Sequence, residues 1–125
     1  MGRSVSPPQH VRIALESLFG AGVERVKIIE HSWFTRLHGR AIATTRRRRI
    51  YLRGSAAEFF TDPALMLHEY CHVLNQWEPR LLTTGRYVLE WLRRGYWDNR
   101  FEIEARVFAE DHLYRFRALL TRSAE

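Results

Sequence analysis

The sequence predicts an α+β fold, a small β-sheet followed by a helical half, and three observations carry that reading. Short runs rich in β-branched residues, 23–29, 41–45 and 50–53, all lie in the first half of the chain. From Asp62 onward, apolar residues recur at helical spacing instead. The chain has 125 residues, 46% of them hydrophobic, which suits one domain with a modest core and argues against disorder. A single domain over residues 1–125 is therefore expected, with residues 1–8, polar and carrying Pro7-Pro8, expected to be flexible.

The elements follow in order. Val11, Ala14, Leu15, Leu18 and Phe19 form the apolar stripe of a first helix over 9–19, and Gly20-Ala21-Gly22 ends it. Residues 23–29 form the first strand, 30–39 a loop, and 41–45 and 50–53 two further strands. Between the last two stand Arg46, Arg47, Arg48 and Arg49. Gly54-Ser55 closes the third strand, and Phe59 and Phe60 pack beneath the incoming loop. Asp62-Pro63 is an N-cap followed by proline at the first helical position, so a helix begins there and continues to Trp77. Pro79 stops it. A fourth segment, 84–94, is helical, with Val88, Leu89, Trp91 and Leu92 supplying bulk and Gly95 ending it. Asp98 or Asn99 caps a last helix to about residue 121, its stripe being Phe101, Ala105, Phe108, Ala109, His112, Phe116 and Leu119.

The 63–77 helix carries the chemistry. It is apolar nearly all round from Leu65 to Leu74, as buried helices are, yet it contains His68-Glu69-Tyr70-Cys71-His72, an H-E-x-x-H motif. Residues four apart share a helix face, so His68 and His72 can reach one metal ion, and Glu69 stands beside them as a general base. Burying such a set is costly unless something pairs it, which a metal would do. Cys71, the one cysteine, is rotated away from the two histidines and belongs to the core. It leaves no internal disulfide to form.

Two histidines are too few for a catalytic zinc, which takes three protein ligands and keeps one position open. The H-E-x-x-H-x-x-G-x-x-H continuation is absent, because positions 75 and 78 are Asn75 and Glu78. The candidates are then Glu102 and Glu104 on the last helix. Centring that helix's apolar stripe near Ala105 puts Glu102 about 55° and Glu104 about 105° from the centre, at 3.6 residues per turn. Glu102 points more nearly inward, but it also stands three residues after Asn99, where it can close a capping box instead. His112 lies about 15 Å further along the axis and cannot share an ion with Glu102.

His68-Glu69-x-x-His72 followed by Glu102-x-x-Ala105 resembles the gluzincin arrangement of thermolysin-like peptidases. The longer pattern, Ile50-Tyr51-Leu52, His72-Val73-Leu74-x-Gln76-Trp77 and Gly95-Tyr96-x-x-Asn99-x-x-Glu102-x-Glu104-Ala105, is similar to small bacterial zinc metallopeptidases. These include the core domain associated with extracellular contractile injection systems. The resemblance covers a little under half the chain. It implies a zincin-like fold with the motif helix central, Zn2+ held by His68, His72 and Glu102, and Glu69 as general base in peptide-bond hydrolysis. Tyr96, just before the ligand helix, is the preferred oxyanion donor, with Tyr87 and the arginines as other candidates. The strand at 50–53 would form the cleft rim and pair with extended peptide or protein substrate. Where gluzincins carry Asp or Asn four residues after the ligand Glu, orienting a ligand histidine, this chain has Arg106.

Charge and hydropathy bound the partners. Net charge is +6, and Lys27 is the single lysine among 20 basic residues, so an acidic partner is compatible with this basic protein. Arg46 to Arg49 with Arg53 form a candidate phosphate-binding face, and Tyr51 or the tryptophans could stack on bases, which makes nucleic acid an alternative partner. A zinc-bearing assembly component without turnover is the other alternative. No apolar run is long enough to span a bilayer and no signal-peptide core is present, so no membrane partner and a cytoplasmic location are expected. Nothing in the sequence sets the oligomeric state.

Overall fold

The computed structural model describes residues 2–32, 43–95 and 98–124. Among them are five α-helices and a mixed four-stranded sheet, an α+β arrangement. Strands β1 (Arg3–Val5), β2 (Lys27–Glu30), β3 (Ala43–Arg46) and β4 (Arg49–Leu52) lie in the order β1-β2-β4-β3. β2 and β4 are parallel, and the two outer pairings are antiparallel. Helices α1 (Gln9–Phe19), α2 (Ala56–Phe59), α3 (Pro63–Tyr70), α4 (Thr84–Arg94) and α5 (Arg100–Ala124) complete the chain.

The core forms where α1, α3 and α5 meet one face of the sheet. Ile28 and Ile50 are fully buried on neighbouring strands, under Val11, Leu15, Met66, Leu67, Tyr70 and Phe116. Strand residues alternate between two faces, so Lys27, Ile29, Arg49 and Tyr51 point the other way. Phe59 and Phe60 join the core as expected, Phe59 from within the short helix α2 that Ser55 caps at Glu58 N, 3.1 Å.

Helices α1 and α4 have the expected bounds, and α3 starts as expected, with Asp62 Oδ1 accepting from Leu65 N at 3.2 Å. Four features differ from the sequence reading. Residues 1–8, expected to be flexible, contain β1. Glu30 accepts from Arg3 Nε at 3.0 Å, and Gly2 approaches β2 so closely that a Cβ there would collide with Ile29 and the Glu30 carbonyl. Residues 23–25, expected to open the first strand, lie instead in a 3₁₀ turn over Ala21–Arg25 that buries Val23, leaving β2 to begin at Lys27. Gly20 ends α1 at φ 84°, and Val23 N then bonds back to the Gly20 carbonyl, so local closure overrides β-branched propensity. The motif helix changes character at Cys71, becoming a π-helical stretch over Cys71–Trp77. Finally, α4 does not bury its bulk: Val88, Leu89, Trp91 and Leu92 are exposed, while Tyr87 and Glu90 face the protein. The expected loop at 30–39 falls largely outside the described residues. No helix among the described residues is long and apolar enough to cross a membrane.

The arginine run has a definite place. Arg46 and Arg49 face each other across the β3–β4 hairpin, and Arg47 and Arg48 form its turn, Arg48 at φ 61°. Arg48 pairs with Glu78 at 3.0 Å, tying the turn to the end of the motif helix.

Candidate metal centre

Two helices build the site. α3 and its π-helical continuation lie against α5, which carries Glu102 in its first turn. There the helix dipole favours a carboxylate. His68 Nε2 is 3.0 Å from Glu102 Oε1, His72 Nε2 is 3.2 Å from the same oxygen, and the two imidazole nitrogens are 3.1 Å apart. His72 and Glu102 are buried; His68 keeps 17% of its side chain exposed, so the site opens to solvent on that side.

These donors fit a metal ion. Tetrahedral ligands at 2.0–2.1 Å from a zinc-sized ion lie about 3.3 Å from one another, close to the spacing found here. The three groups converge with all donor atoms within 4.8 Å of one another. The tautomer fits too. His72 Nδ1–H donates to Gln76 Oε1 at 2.7 Å, which directs Nε2 toward His68 and Glu102. Gln76 cannot be flipped, because its Nε2 donates to the Phe101 carbonyl at 3.0 Å. Gln76 thus fixes the orientation of the His72 ring. The π-helical stretch contains both His72 and Gln76, with Glu78 N bonding to the Val73 carbonyl five residues back.

Glu102 is not a capping residue. Asn99 Oδ1 accepts from Phe101 N at 2.8 Å without it, while the second Glu102 oxygen accepts from Tyr87 Oη at 3.1 Å. Tyr87 is itself placed by Asn99, whose Nδ2 donates to the Tyr87 carbonyl at 3.4 Å. Glu104 is exposed and His112 is half-buried, stacked on Phe108 and bonded to its carbonyl at 2.8 Å. Cys71 is buried, and burial pushes its thiol up to about 12. Tyr96 lies outside the described residues.

Electrostatics follow from burial and proximity. Burial opposes the charge on His72, but its hydrogen bond to Glu102 and the Glu102 and Glu69 charges outweigh that, pushing it up to about 9. Glu102 is the mirror case: burial would raise it, but hydrogen bonds to His68 and His72 hold it well below the usual carboxylate range. Glu69 is buried, and desolvation raises it against the pull of the two histidines. Without a metal, the centre is thus an imidazolium–carboxylate pair beside a carboxyl pushed toward its neutral form.

Sequence reasoning placed His68, His72 and Glu102 and missed two supporting groups. Gln76 carried a usable signal, since it stands four residues after a ligand histidine on one helix. Tyr87 is one of several oxyanion-donor candidates in the sequence, and only the packing of α4 beside the start of α5 brings it onto Glu102. Replacing Gln76 by Leu removes the acceptor for His72 Nδ1 and is expected to weaken metal affinity about 10- to 100-fold, measured by competition with a chromogenic chelator. An unchanged affinity would show that Gln76 does not set the histidine.

No protein-family model matches the sequence, and no curated protein or solved structure is significantly similar to it.

Proposed function

We propose that this chain is a zinc-dependent metallopeptidase of gluzincin type, with a zincin-like arrangement of its sheet and motif helix. Zn2+ would be held by His68, His72 and Glu102, and the substrate would be a peptide or protein. The observation carrying this reading is the convergence of two imidazole nitrogens and a carboxylate oxygen within 4.8 Å, with Glu69 one residue along the same helix. A bound zinc would polarise the scissile carbonyl and acidify the attacking water.

The chain's own groups supply the rest. Glu69 takes the water's proton and delivers it to the leaving amine. Gln76 and Tyr87 keep His72 and Glu102 in place, so little reorganisation is needed during turnover. Tyr96 is the proposed donor to the developing oxyanion. The rim differs from the one first expected: β4, which holds Ile50, Tyr51 and Leu52, is paired on both sides, by β2 and by β3. Among the described residues, the sheet edge next to the motif helix is β3, where Thr45 Oγ1 accepts from Trp77 Nε1 at 3.2 Å. An extended substrate would therefore add to β3.

The test is hydrolysis of a quenched-fluorescent peptide mixture by zinc-loaded protein, beside Glu69→Gln. Chelator-sensitive cleavage that is lost in the variant supports the reading. Stoichiometric zinc without cleavage would make the centre a structural one.

A further inference from the structure

The outer face of the sheet, turned away from the helices, carries a pattern that the metal centre does not use. Lys27 on β2 lies opposite Arg49 on β4, and Arg49 lies opposite Arg46 on β3. Paired residues point to the same side, so these three cations form one row across three strands. All three are exposed, and Ile50, the neighbour of Arg49, is buried on the opposite face. With strands about 4.8 Å apart, the row spans about 10 Å. Two residues further along β4, and about 6.7 Å away, Tyr51 stands in the next row, beside Ile29 on β2. Ser4 on β1 follows opposite Ile29. None of the four strands puts a carboxylate on this face; Glu30, their one acid, is buried and accepts from Ala56 N at 2.9 Å.

We propose that this face is a binding surface for single-stranded nucleic acid, with phosphates along the Lys27–Arg49–Arg46 row and a base stacked on Tyr51. Cations alone would suit any polyanion. The half-buried aromatic ring one row away selects a ligand that alternates negative charge with flat π-faces, which a single strand does and an acidic peptide does not. A sheet presents such a ring rigidly, so stacking loses little side-chain freedom. The surface is independent of the metal reading, because the motif helix packs on the other side of the same strands.

The probe is a labelled oligothymidylate of roughly 15 nucleotides, with binding followed by anisotropy between about 50 and 200 mM salt. The triple variant Lys27→Gln, Arg46→Gln, Arg49→Gln is expected to bind at least about tenfold more weakly and to flatten the salt slope by about 2, the share of three phosphate contacts on a single strand. Tyr51→Leu is expected to lose about tenfold with the slope unchanged. Circular dichroism melts of both variants, expected to match the parent, separate lost contacts from lost folding. The proposal is overturned if the folded triple variant binds like the parent. It is equally overturned if Tyr51→Leu binds like the parent, or if polyglutamate competes as well as the oligonucleotide, since the face would then be a general cationic surface.

Discussion

Glu69→Gln is expected to retain one metal ion per chain while losing about a hundred- to ten-thousandfold of peptide hydrolysis, the usual contribution of a positioned general base. The substitution is nearly isosteric, and Glu69 is not among the three groups that converge as ligands, so the metal should stay. The amide cannot accept the water's proton. Burial favours the neutral form of this side chain in the metal-free protein, so an uncharged replacement should cost no folding stability. Activity assays, metal analysis and a thermal melt on the same preparation check all three points. Turnover within a few-fold of the parent would remove Glu69 from the mechanism.

The second large effect is the response to metal and pH. In the metal-free protein, folding raises His72 from 6.5 to about 9. The stability this contributes is fully present below pH 6.5 and is lost as pH rises through about 9. Glu102 is depressed below 4.5, so its contribution is present above that value and lost as pH falls toward the folded value. Metal-free protein therefore gains most from this pair between pH 4.5 and 6.5. A metal ion must displace the proton that His72 holds, so affinity should rise about tenfold per pH unit up to about 9. The two trends oppose each other: zinc should stabilise little near pH 5.5 and strongly near pH 8, by about 4 kcal/mol once free metal reaches a thousandfold excess over Kd. Thermal melts with and without zinc across this range check it. Equal stabilisation at both ends would mean that the ion binds elsewhere.

Much of this was legible from local chemistry. Pro63 behind a capping Asp62 announces the start of the motif helix, and the stripe of α1 gives its bounds. Glu102 was separable from Glu104 because their angular difference on one helix is large, and the structure turns Glu102 inward and Glu104 outward. What escaped depends on contacts distant in sequence. β1 exists because Arg3 finds Glu30, 27 positions away. Val23 favours strand intrinsically, and a Gly20-initiated turn overrules it. The exposure of Val88, Leu89, Trp91 and Leu92 could not be read from periodicity, which locates an apolar stripe without saying whether anything covers it. Gln76 becomes a site residue only when the Phe101 carbonyl on α5 fixes its amide.

Metal content decides the central claim most directly. Parent protein and Glu102→Ala would be purified alike, incubated with zinc, dialysed and analysed by native mass spectrometry and elemental analysis. One zinc per parent chain, with the variant folded but empty, is the expected result. A parent that takes up no metal, or a variant that holds it as tightly, would contradict a centre built from His68, His72 and Glu102.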